Sequence, residues 1–205
     1  MRRSLQALLV VGVVALFGAG PASAGLGLAC PDVTTKPFAP WSDYAKYAFA
    51  PNGGFESGAT GWTLTGGAKV VSGNESFFTN GTRDRYSLSL PPGSTAKSAP
   101  MCVSLLNGKM RFFAANSGAA SARLKVQVLY NGGVGSVLGL VGGLLGLSEV
   151  GYVNAGAAWQ PSQPVGMLGG TLPLLTRSVQ FRFSAPADGG AFRIDDVYLD
   201  PFLSR

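Results

Sequence analysis

The chain has 205 residues, a formal net charge of +6, no histidine and two cysteines, with 30 glycines and 13 prolines. The missing histidine removes Ser-His-Asp and Cys-His nucleophilic triads and histidine-based zinc sites. The positive charges are scattered singly, without the clustered basic face that a nucleic-acid partner requires.

The N-terminus has the three parts of a secretory signal peptide. Arg2 and Arg3 supply the basic region, and Leu5 to Phe17 is apolar except for Gln6 and Gly12. Pro21 and the small-x-small pattern Ala22-Ser23-Ala24 follow. The alternative is a membrane anchor, but a span takes about 20 apolar residues and this stretch is shorter, so no transmembrane segment is expected. Ser4-Leu5-Gln6 is a poor match to twin-arginine export. Residues 1–24 are therefore expected to be a signal peptide, and the mature chain to be secreted to the extracellular side. Cleavage lowers Lys+Arg from 16 to 14 against 10 acids, for a net charge of +4. Weak attraction to an anionic envelope polymer follows from that balance.

Residues 25–50 read as an extended segment, because Pro31, Pro37 and Pro40 exclude a helix. Trp41, Tyr44, Tyr47 and Phe49 can pack from it onto the domain body, residues 51–205. In an exported chain the pair Cys30 and Cys102 most simply forms a disulfide. Closing that loop stabilises a fold by about 4 kcal/mol in the chain-entropy treatment. Two free thiols are the alternative. Gly27-Leu28-Ala29-Cys30 also raises a lipoprotein reading, although Gly27 stands where such a signal has leucine.

From Asn52 the chain reads as short strands between turns. Strands are expected at Gly61–Thr65, Ala68–Val71, Tyr86–Leu90, Met101–Val103 and Met110–Ala115. They continue at Arg123–Tyr130, Val150–Val153, Val179–Phe183 and Ala191–Leu199. In Arg123–Tyr130, Leu124, Val126, Val128 and Tyr130 face one way and Arg123, Lys125 and Gln127 the other. Such strands with one polar face indicate an all-β, antiparallel β-sandwich.

Val134 to Leu147 is uncharged, built of Gly, Leu and Val with one Ser. It reads either as a buried hairpin or as a membrane-contacting or self-associating tip. At 14 residues it is too short to span a bilayer. Asn74-Glu75-Ser76 and Asn80-Gly81-Thr82 match the N-glycosylation sequon. No phosphate-binding glycine loop sits between a strand and a helix. A glycosidase needs two carboxylates, but most acids here sit in turns or beside basic residues, as in Arg83-Asp84-Arg85. The chain is expected not to be an enzyme.

Two motifs at the ends of the domain carry a resemblance. Asn52-Gly53-Gly54-Phe55-Glu56-Ser57-Gly58 with Gly61-Trp62 resembles the opening strand of carbohydrate-binding modules of families 4, 9 and 22. Phe192-Arg193-Ile194-Asp195-Asp196-Val197-Tyr198-Leu199 resembles their closing strand. These modules are galactose-binding-like jelly rolls. The chain also resembles secreted bacterial proteins of unknown function in Pro37-Phe38-Ala39-Pro40-Trp41, Trp159-Gln160-Pro161-Ser162 and the Asp195-to-Phe202 ending. The first resemblance implies a jelly roll, a carbohydrate or cell-envelope glycan as ligand, and a structural calcium. Its ligands would be Glu56 and Asp195, with Asp196 as a substitute. Strict alternation in the closing strand buries one carboxylate in either phase unless the strand bulges. A buried carboxylate needs a cation or a hydrogen-bonding partner, and a salt bridge to Arg193 or another arginine is the alternative to calcium. Phe55 and Trp62 are expected in the core. A sugar site needs an aromatic platform and polar groups for hydroxyls; the outward-facing candidates are Arg111, Gln127, Arg182, Tyr86 and Trp159. The competing function is a structural or adhesive extracellular protein acting through protein contacts, with self-association through 134–147.

Overall fold

Alternating runs bounded by Gly and Pro pair into two antiparallel sheets. A computed structural model describes residues 33–102, 108–131, 148–166 and 178–200. The leader 1–24, Cys30 and the Val134–Leu147 segment lie outside the described residues, so the cysteine pairing and the self-association reading rest on sequence.

The strands are β1 (Thr34–Thr35), β2 (Tyr47–Phe49), β3 (Trp62–Thr65), β4 (Lys69–Ser72), β5 (Tyr86–Leu90), β6 (Thr95–Ser98) and β7 (Met101–Cys102). They continue with β8 (Lys109–Asn116), β9 (Leu124–Asn131), β10 (Ser148–Val153), β11 (Gln160–Pro161), β12 (Val165–Gly166), β13 (Ser178–Ser184) and β14 (Phe192–Leu199). One sheet runs β10-β9-β13-β6-β3, with β7 also on β13. The other is built around β14, which pairs with β8 along one edge and with β5 and β2 along the other. Strands β4, β1, β11 and β12 extend it. Among the described residues the helical content is one short 3-10 turn, Ala39–Trp41. No helix there is long and apolar enough to cross a membrane.

The core between the sheets follows the period-two pattern of strands. Leu124, Val126 and Val128 of β9 meet Phe181 and Phe183 of β13, Leu88 and Leu90 of β5, and Phe112 of β8. Phe55 and Trp62 join this core, with rings 5.0 Å apart. The motif Asn52–Gly58 is a turn, not the expected opening strand, and Phe55 has φ +60°. The cause is Asn52: its Nδ2 donates to the carbonyls of Gly58 and Thr60, and its Oδ1 accepts from Ser57 N. That side chain closes the loop upon itself.

β14 does bulge. Phe192 and Ile194 point into the core, the register shifts between Asp195 and Tyr198, and Asp196 adopts φ +46°. Beyond the bulge Val197 and Leu199 face the core and Tyr198 faces out. The extra residue changes the phase, so Asp195 and Asp196 are both buried at 1% exposure. Ala50 N donates to the Val197 carbonyl and Val197 N to the Gly53 carbonyl, tying the Asn52 turn to the bulge.

The segment beginning at residue 33 is integral to the sheet. Phe38 and Tyr47 are fully buried against Phe113 and Tyr198 on the outer face of the β14 sheet, with Trp41, Phe49 and Trp159 alongside. Tyr44 remains exposed. Arg111 pins this cover. Its Nη1 donates to Asp43 Oδ2 at 2.7 Å, its Nε and Nη2 donate to the Ser162 carbonyl, and its guanidinium lies 4.3 Å from the Phe38 ring centre. Burial raises the Asp43 pKa, but hydrogen bonds from Tyr47 and Arg111 outweigh it and hold the carboxyl below its ordinary value.

Candidate functional site

The outer face of the β10-β9-β13-β6-β3 sheet is polar. The ladder places Thr63 opposite Lys97, Lys97 opposite Arg182, Arg182 opposite Gln127, and Gln127 opposite Val150. The neighbouring row runs Thr65, Thr95, Ser184, Lys125 and Tyr152. Leu64, Ala96, Phe183 and Val126 lie between these rows along β3, β6, β13 and β9 and pack in or against the core, and Val153 next to Tyr152 is also in the core, so Thr63, Lys97, Arg182, Gln127 and the second row face outward. Tyr152 is 58% exposed. The face thus combines an aromatic ring, an amide, three cations and several hydroxyls across five strands.

One pairing in it is costly. Lys97 and Arg182 are directly opposed like charges, an arrangement that destabilises an antiparallel pair. Lys97, Lys125 and Arg182 form no ion pair with a described carboxylate.

Of the expected sugar-site residues, Gln127 and Arg182 come together as direct cross-strand partners. Arg111 is a correction: it is 7% exposed, with its donors held by Asp43 and Ser162. Trp159 is also corrected, because it packs half-buried against the cluster of Phe38, Tyr47, Phe113 and Tyr198, with the Arg193 guanidinium 5.4 Å from its ring centre. Tyr86 is 41% exposed but starts β5, on the other sheet. Tyr152, Lys97 and Lys125 were missed. Lys125 belongs to an alternating run, but only the register places the three beside Arg182 and Gln127.

A second constellation surrounds the β14 bulge. Asp195 Oδ2 accepts from Glu75 N at 2.9 Å and its Oδ1 from Asp196 N at 2.9 Å. Asp196 Oδ2 accepts from Asn80 N at 3.1 Å. The Glu75 carboxylate, fully buried, accepts from the backbone N–H of Phe77 and Thr79. Glu56 Oε1 accepts from Arg85 N and Tyr86 N at 2.8 and 2.9 Å. Asp196 Oδ1 and Asp84 Oδ2 are buried and have no hydrogen-bond partner. A Cβ on Gly54 would stand 2.8 Å from Asp196 Oδ1, so bare backbone lies against that oxygen.

The expected arginine partners are engaged elsewhere. Arg193 donates to Ser87 Oγ and to the carbonyls of Ser72 and Gly73. Burial, then the charge of Asp196, pushes Asp195 up to about 9. Burial, then Asp84 and Glu75, pushes Asp196 up to about 8. Burial, then Glu56 and Glu75, pushes Asp84 up to about 6. The donor set is all hard oxygen, the donor type calcium takes, and two of the oxygens are bare and buried. Among the described residues no three acidic side chains stand together at metal-ligand spacing. Asp195, expected as a ligand, instead spends both oxygens on backbone N–H groups. Asp84 was missed because its arginine neighbours in sequence suggested ion pairs that the fold does not make.

No family model matches the chain, and no curated protein matches it. Among solved structures it is similar to the enzymatically active domain of bacteriophage CBA120 tailspike protein 4. The TM-score is 0.51 at 13% identity, over 73% of this chain and 21% of that one. The chain therefore spans about a fifth of the tailspike chain's length. It is also similar to TmCBM61 in complex with beta-1,4-galactotriose, with a TM-score of 0.46 and 17% identity over 73% of this chain and 95% of that one. A xylan-binding domain from CBM 22 gives 0.46 and 15%, over 80% and 99%. At these identities the likeness concerns the fold alone, and the chain is an antiparallel β-sandwich of two sheets.

Proposed function

We propose that the chain is a secreted, non-catalytic glycan-binding module whose ligand lies along the outer face of the β10-β9-β13-β6-β3 sheet. The observation that carries this reading is the pair of outward rows joining Tyr152 and Lys125 to Gln127, Arg182 and Lys97. A pyranose ring has an apolar face that stacks on an exposed aromatic ring, and hydroxyls that bond to amides and cations. The opposed Lys97 and Arg182 lower stability unless an anion lies between them, so the favoured ligand is an acidic polysaccharide. Export through residues 1–24 would place the module where such polymers occur.

The buried acids support a structural calcium in the same reading. Asp84 and Asp196 would hold it through their bare oxygens. The ion would supply positive charge to a buried acidic cluster. The residues themselves tie the β14 bulge to the Asn52 turn and to the chain entering β5.

Affinity electrophoresis through gels holding polygalacturonate, alginate, xylan or hydroxyethyl cellulose tests the reading. Retardation is expected in the acidic polymers, reduced at least tenfold in K97A/R182A. Equal mobility in every gel would remove the proposal.

A further inference from the structure

A groove of about 860 Å³ opens on the far side of the molecule from the polar face, between the N-terminal segment and the loop of residues 75–80. Its floor is Phe49 of β2 and Tyr198 of β14, directly paired in the ladder with rings 5.0 Å apart. One wall carries Lys36 and Trp41, in a stretch whose backbone is restricted by Pro37 and Pro40. The other wall carries Phe77 and Asn80. The rings of Trp41 and Phe77 meet edge to face at 4.8 Å and 85°, yet Phe77 remains 45% exposed.

The loop wall is held in an unusual way. Glu75, Asp195 and Asp196 are each at most 1% exposed. Their carboxylates accept the backbone N–H groups of Glu75, Phe77, Thr79 and Asn80. Burying carboxyl groups is costly; the loop they hold packs Phe77 on Trp41 and Phe113 and leaves the rest of that ring open to the groove. What those hydrogen bonds fix is the position of the residues facing the groove. A preformed wall reduces the ordering cost of binding, and the volume lies in the range of small-molecule clefts.

We infer that this groove is a second saccharide site, which takes a short oligosaccharide with its ring faces on Trp41, Phe49 and Phe77. Lys36 and Asn80 on the rim are the partners for its hydroxyl or carboxylate groups. The inference rests on the glycan-binding reading, and it assigns a site on the opposite sheet from the polar face.

Isothermal titration of the full chain with trigalacturonate, xylotriose and cellotriose tests it. The variants are F77S/K36A for the groove and K97A/R182A for the polar face. Two sites are expected in the wild type and one in each variant. One wild-type site that F77S/K36A removes and K97A/R182A spares would keep the groove and overturn the polar-face assignment. One site with the reverse behaviour would overturn the groove alone. No heat with any trisaccharide would overturn both. If F77S/K36A does not fold, K36A carries the test on an exposed side chain: affinity about tenfold weaker at the groove is expected, and unchanged affinity would overturn the inference.

Discussion

The acids around the β14 bulge make the stability of the chain depend on pH in the opposite sense from ordinary salt-bridged carboxylates. Asp195 and Asp196 have an ordinary value of 3.8 and are pushed up to about 9 and about 8 in the fold. Between those values the folded chain holds a proton that the unfolded chain has released. Stability is therefore fully present below about pH 4 and is lost as pH rises towards 8 to 9. Counting the adjacent pair as one proton, each pH unit in that window costs about 1.4 kcal/mol. From pH 5 to pH 7 the loss is about 3 kcal/mol, or roughly 10 °C in Tm for a chain of this size. Calcium bound through Asp84 and Asp196 favours the ionised forms and opposes this loss. At a hundredfold excess over its Kd it adds about 2.7 kcal/mol. Scanning calorimetry at pH 5, 6, 7 and 8, in EGTA and in calcium, reads both effects. Melting should fall with pH in EGTA and recover in calcium, most strongly at pH 8. A Tm that is flat from pH 5 to 8 and indifferent to calcium would refute the reasoning about these carboxylates.

Other perturbations give separate outcomes. Gly54→Ala places a Cβ against Asp196 Oδ1; it should lower Tm and abolish the calcium response, both visible in the same scans. Arg111→Ala strands Asp43 and frees the cover formed by Phe38 and Tyr47. The expected loss is about 3 kcal/mol, read by urea unfolding, with limited proteolysis opening first near residues 36–46. Retardation in polygalacturonate should weaken steeply between 50 and 300 mM NaCl, since the cations of the polar face are half-exposed and screened by salt. Salt-independent retardation would assign binding to stacking alone.

Much of the fold was legible because period-two alternation survives wherever one face of a strand is buried. Arg123–Tyr130 and Val179–Phe183 show it and appear as β9 and β13. Strand β6 was not legible, because Thr-Ala-Lys-Ser carries one small apolar residue between polar ones. The turn signal at Asn52–Gly54 was legible, but the resemblance implied an opening strand through Gly58, because composition does not show that the asparagine side chain folds back on the loop. The closing strand was half legible: two adjacent aspartates in an apolar run required a bulge or a buried carboxyl, and the fold has the bulge and buries both carboxyls. Gln127 and Arg182 were legible as outward residues, but not as partners. Their pairing, and the arrival of Lys97 and Tyr152 beside them, depends on the register of strands distant in sequence. Arg111 was misread because β8 is covered on both faces, and nothing local in the sequence says that residues 33–46 lie across it.

Binding of an acidic glycan by the polar face is tested most directly by NMR titration of the protein with trigalacturonate at low salt. Shifts should concentrate at the backbone amides of Lys97, Lys125, Gln127, Tyr152 and Arg182, and should vanish in K97A/R182A. Saturating shifts confined to other surfaces, or none in that row, would contradict it.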